Sequence, residues 1–134
     1  FHHEHPLDEC VRTLRPGGRL IICLPNIAHW KCRWWILRGR FPYVKNSPTD
    51  LLHLRFFTVA EAKLLLEQRG LKVTEVDGSA SLWARDFYEP IFRWPRVRPL
   101  YTWAAHRFPS LFARDFVMVG VKQGQPPAGP GGVD

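Results

Sequence analysis

The stretch LPNIAHWKCRWWILRGRFPYV, residues 24–44, gathers side chains with binding chemistry. Asn26 brings an amide, His29 an imidazole, Arg33, Arg38 and Arg40 guanidinium groups and Tyr43 a phenol, all set among Trp30, Trp34 and Trp35. Amides and imidazoles donate and accept hydrogen bonds, and guanidinium groups grip carboxylates or phosphates through two parallel N–H bonds. Shortly afterwards HLRFF supplies His53 and Arg55. Imidazole titrates near neutral pH, which makes His53 the candidate proton acceptor. Arg40 and Arg55 are the candidates to neutralise an anionic group.

Each assignment has a plainer rival. Ile27, Trp30, Trp34 and Leu37 fall on one helical stripe, so they are expected in a core. Asn26, just after Pro25, suits a helix cap. His53 suits a structural hydrogen bond, and Arg33, Arg38 and Arg40 suit a solvated face. Other chemistries find no footing: His2, His3 and His5 crowd one end, and His29-x-x-Cys32 is a single pair lacking two further ligands, so no metal site is expected. No G-x-S-x-G supports a serine nucleophile.

The elements that must position these residues follow from periodicity and punctuation. Leu7, Cys10, Val11 and Leu14 give a helix that Pro16-Gly17-Gly18 stop. RLIICL, 19–24, is a continuous apolar run, expected as a strand covered on both faces. A helical pattern runs from Ile27 to Leu37, and GRFPYVKNSPTD reads as loop. Thr58-Val-Ala-Glu61 is a capping box for a helix carrying Leu64, Leu65 and Leu66, with Gly70 as its stop. LKVTEV, 71–76, alternates as a strand with one exposed face, and DFVMVGVK, 115–122, reads as a buried strand. The tail from 123 to 134 has a disordered composition.

Three cysteines with no C-x-x-C pair argue against a disulfide scaffold and for a reducing, cytoplasmic setting. No apolar run approaches the roughly 20 residues of a spanning helix. The net charge of +7 suits an anionic partner without choosing one.

In order, LRPGGRLIICLPNIAHW, GRFPY, LLHLRFFT and LLLEQRGLKV resemble the C-terminal half of class I S-adenosylmethionine-dependent methyltransferases, in particular the small bacterial type with L-[KR]-P-G-G-x-L-x-[IV]-x-x-P-N. The likeness runs from about Leu7 to Val76 and resumes at 115–122. It implies an α/β fold, the C-terminal half of a Rossmann-like doubly wound sheet, with 19–24 as fifth strand, 71–76 as sixth and 115–122 as the antiparallel last one. It also implies S-adenosylmethionine as cofactor, held in that family by a Gly-rich loop and an acidic residue. Neither feature is present here, since the chain has no G-x-G-x-G. The resemblance turns the segment after the fifth strand toward the substrate, so Asn26 and His29 would bond or orient the acceptor. Trp30 and Tyr43 would wall its pocket, Arg40 and Arg55 would hold an anionic group, and His53 would take a proton.

The expectation is therefore a partial methyltransferase domain over 1–122 with a small or lipid-like acceptor. The chain opens on Phe1 and holds one methionine, Met118, which fits a fragment lacking the cofactor-binding half and inactive alone. Residues 80–114 form an insertion rich in arginine and aromatics. It is read as a lid, or as a peripheral membrane contact through rings and arginines, ahead of a nucleic-acid surface. The alternative function is a non-enzymatic module that binds an anionic membrane or nucleic acid.

Overall fold

A computed structural model describes residues 5–79 and 94–124. In chain order these form α1 (His5–Thr13), β1 (Arg19–Pro25), α2 (Trp30–Leu37), α3 (Val59–Glu67), β2 (Leu71–Ser79), α4 (Val97–Arg107), α5 (Pro109–Phe112) and β3 (Asp115–Lys122). The expected features on 80–93 and 125–134 lie outside the described residues.

The α/β character is as expected. The sheet has the order β1-β3-β2, with β3 antiparallel to both neighbours, so β1 and β2 run in the same direction. Leu24 pairs with Phe116 and Leu20 with Gly120 on one side of β3. On the other side a register shift between Val73 and Glu75 lets both Val73 and Val76 stay partly buried against the core. Ala62 and Leu66 of α3, Leu71 of β2 and Phe116 and Met118 of β3 form the buried core. Leu7 and Val11 of α1, Leu14 just after it, and Leu20, Ile22 and Leu24 of β1 pack around it. Burying a Phe or Leu of this kind contributes about 2 kcal/mol.

The Pro16-Gly17-Gly18 turn has a definite task. Gly17 sits at φ 75°, and its N–H donates to the Lys122 carbonyl at 2.8 Å, while Lys122 N–H donates to the Gly18 carbonyl at 2.9 Å. Lys122 Nζ then caps α1 by donating to the Val11 and Leu14 carbonyls at 2.7 and 2.8 Å. A cation there satisfies orphan carbonyls at the negative end of the helix. At α3, Thr58 is the N-cap and its hydroxyl accepts from Glu61 N–H at 3.1 Å.

Three expectations need correction. β1 is not covered on both faces: Ile21 is 67% exposed and Cys23 is exposed, because only the face carrying Leu20, Ile22 and Leu24 meets the core. The helix expected from Ile27 begins at Trp30, since Asn26–His29 form a turn held by long-range bonds. The stripe of α2 is not core either, with Trp34 49% and Leu37 80% exposed.

Candidate functional site

The site is built at the carboxyl end of β1. There Asn26 bridges to Phe57 in parallel fashion, and Ile27 N–H donates to the Phe57 carbonyl at 3.0 Å. This contact draws the 41–57 loop to the strand end. A cavity of about 710 Å³ runs from this point along β1, walled by Leu7 and Cys10 of α1, Leu20, Ile22 and Leu24, and bounded by His53, Arg55 and Arg69. His53 and Arg55 thus border one groove. Arg69 borders it too, and its Nε donates to Asp8 Oδ1 at 2.6 Å, tying the turn after α3 to α1.

His53 is held within its loop. Its Nδ1 lies 3.2 Å from the Pro48 carbonyl, and its own N–H donates to the Asp50 carbonyl at 3.0 Å. A ring whose Nδ1–H is spent on a carbonyl carries its lone pair on Nε2, the tautomer of a proton acceptor. The loop is fixed by buried hydroxyls. Ser47 Oγ donates to the Val44 carbonyl at 2.7 Å, and Thr49 Oγ1 donates to the Pro42 carbonyl at 2.7 Å. Asp50 accepts N–H bonds from Leu52 and Asn46, which hold its carboxyl below the usual carboxylate range. Ser47 and Thr49 were missed from the sequence. The S-P-T-D run that follows Asn46, a residue in the left-handed region at φ 57°, was the available signal.

Asn26 and His29 occupy a different place. Asn26 is fully buried, and its Nδ2 lies 3.0, 3.1 and 2.9 Å from the carbonyls of Pro109, Ser110 and Ala113. Its Oδ1 accepts from Ala28 N–H at 3.0 Å. The side chain therefore clasps the α5 turn to the end of β1. His29, not Asn26, caps α2: its Nδ1 accepts from Lys31 N–H at 3.2 Å. Its Nε2 meets the Tyr101 hydroxyl at 3.1 Å, and that hydroxyl donates to the Phe112 carbonyl at 2.9 Å. Burial, reinforced by the Lys31 cation, lowers the His29 pKa to about 4, so the ring is neutral.

The remaining candidates disperse. Trp30 lines a separate apolar depression with Arg33, Trp34, Leu37 and Leu111. Tyr43 stands edge-on to Phe41, which in turn meets Phe56, with ring centroids 5.5 and 5.4 Å apart. Arg40 is exposed just past α2. Among the described residues, three or more His, Cys, Asp or Glu side chains nowhere gather closely enough to hold a metal. The N–H groups of Gly17 and Gly18 are spent on the Lys122 and Arg15 carbonyls. No helix among the described residues is long and apolar enough to cross a membrane.

A search of curated proteins found no match to this chain. A family model described as methionine biosynthesis protein MetW matches residues 3–94, well over half of the chain, from α1 through β2. The match stops short of Tyr101, Phe112 and β3.

Proposed function

This chain belongs to the family of methionine biosynthesis protein MetW, a methyltransferase-like family, and we propose that it forms the acceptor-side half of a class I S-adenosylmethionine-dependent methyltransferase sheet. The observation that carries this reading is the sheet order. β1 and β2 run in the same direction with β3 antiparallel between them, the arrangement expected of fifth, sixth and last strands. The outer edge of β1 has no strand beside it among the described residues, and the aliphatic part of the groove along it is the surface that further strands would cover. The residues described here do not themselves fit the cofactor, so its binding loop is assigned to those further strands.

Ligands of open α/β sheets bind outside the carboxyl ends of the strands, and His53 and Arg55 stand at that end of β1. In this reading His53 Nε2 accepts the proton of the nucleophilic acceptor, and Arg55 holds an anionic group of the same molecule. A guanidinium at that end favours a small or lipid-like acid as the acceptor. Asn26 and His29 act at one remove: they fix the strand end and α2 without touching the acceptor. Holding the acceptor in line supplies most of what methyl transfer requires of a protein.

Two measurements test the reading. Titration calorimetry of this chain with S-adenosylhomocysteine is expected to show no binding, and micromolar affinity would overturn the assignment of the cofactor loop. In a methyl-transfer assay of the assembled protein, His53→Asn is expected to lower kcat by about a hundredfold with KM little changed. An unchanged kcat would remove His53 from the chemistry.

A further inference from the structure

Large apolar side chains on this protein are not scattered over its surface. Of the fifteen that are exposed among the described residues, nine lie between positions 34 and 56. The end of α2 is the clearest case, with Ile36 52% and Leu37 80% exposed beside half-exposed Trp34. An amphipathic helix that packs on a core shows one apolar stripe, whereas WKCRWWIL is apolar on nearly every side. Only Cys32 of this helix is buried.

Charge in this region is mostly positive. Residues 30–56 contain Lys31, Arg33, Arg38, Arg40, Lys45 and Arg55 against the single acid Asp50, whose carboxylate accepts from the N–H groups of Asn46 and Leu52. The cations are interleaved with the rings. The Arg38 guanidinium lies 4.2 Å from the centre of the Trp34 ring, and Lys31 Nζ lies 5.2 Å from that of Trp35. Just beyond Arg38 the chain turns at Gly39, with φ 66°, into the exposed pair Phe41 and Tyr43.

We propose that the tip formed by the end of α2 and the turn after it is a docking surface for an anionic phospholipid bilayer. Trp34, Ile36 and Leu37 enter the headgroup boundary, and Arg38, Arg40 and Lys45 meet lipid phosphates. Indoles favour that boundary because one edge is polar and the rest apolar, and cations beside them add attraction to anionic headgroups. A protein partner would need an acidic apolar groove to match this surface, whereas an anionic membrane offers both chemistries over any area. The surface does not depend on the methyl-transfer reading.

The test is cosedimentation of the full chain with vesicles of phosphatidylcholine alone or with about 30% phosphatidylglycerol added, at low and physiological salt. Binding is expected only to the anionic vesicles and should weaken with salt, with tryptophan emission quenched by brominated acyl chains. Ile36→Ser with Leu37→Ser should weaken binding about tenfold, and Arg38→Gln and Arg40→Gln about fivefold each. These positions are exposed, and an unchanged circular dichroism spectrum checks that each variant is folded. No sedimentation at low salt, or binding indifferent to all four substitutions, would overturn the proposal. Tighter binding to a single-stranded oligonucleotide than to anionic vesicles would reassign the surface to nucleic acid.

Discussion

The imidazole of His29 and the phenol of Tyr101, 72 residues apart in the chain, meet at 3.1 Å and complete a run of donors and acceptors in the protein interior. Lys31 N–H donates to Nδ1, which places the ring proton on Nε2 for donation to Tyr101, and Tyr101 donates to the Phe112 carbonyl. The start of α2 is thereby fixed to α4 and to the end of α5. Protonating the ring would turn Nδ1 into a second donor facing a donor.

Stability is expected to depend on pH through this ring. The imidazole titrates near 6.5 when unfolded and near 4 when folded, so between those values the unfolded chain binds the extra proton. The contribution of neutral His29 is complete above pH 6.5 and is lost as pH falls toward 4, amounting to about 3 kcal/mol. Urea denaturation from pH 7.5 to 4 checks this, and His29→Gln should flatten the part of the profile that this ring contributes.

Asn26→Ala is expected to destabilise by about 3 kcal/mol, since one buried amide serves the Pro109, Ser110 and Ala113 carbonyls and their loss of a donor is not repaired by water. Asn26→Asp should be worse than Ala, because a carboxylate would face those same oxygens. Chemical denaturation of the two variants ranks them, and an Asp variant as stable as wild type would show that the clasp does not hold.

Gly78→Ala should cost about 3 kcal/mol or more, and for steric reasons alone. A Cβ at Gly78 would collide with the Ala105 carbonyl oxygen and lie 2.7 Å from Ala113 Cβ, so α4 would have to lift off β2. Gly39→Ala is the useful contrast. Open space surrounds that position, but φ is 66°, and the expected cost is only about 1 kcal/mol of backbone strain. Thermal unfolding of the pair separates the two causes.

Thiol reactivity should divide the cysteines. Burial pushes the Cys32 thiol up to about 12, while Cys10 and Cys23 are exposed. Maleimide at pH 7 is expected to label Cys10 and Cys23 in the folded protein and Cys32 only after denaturation, as mass spectrometry of digested peptides would report. Of the first two, Cys23 should react more slowly, because burial first and Asp115 second raise its pKa.

Sequence by itself determined the features whose causes lie within a few residues. Thr58 caps α3 because its hydroxyl reaches an N–H three positions on, and Gly17 turns the chain after Pro16 because it tolerates the required φ. The extent of β3 was legible for the same reason, from an unbroken apolar run. Tertiary structure alone decided the rest. Asn26 looked like a cap for the next helix, yet the carbonyls its Nδ2 serves lie 83 to 87 residues away, and the true cap is His29. Trp34 and Leu37 had the spacing of core residues and became surface, because spacing says which residues share a face and not whether anything covers it. Ile21 likewise belongs to an apolar run, but which of its faces meets the core was settled by the pairing of β1 with β3, a contact between segments about a hundred residues apart.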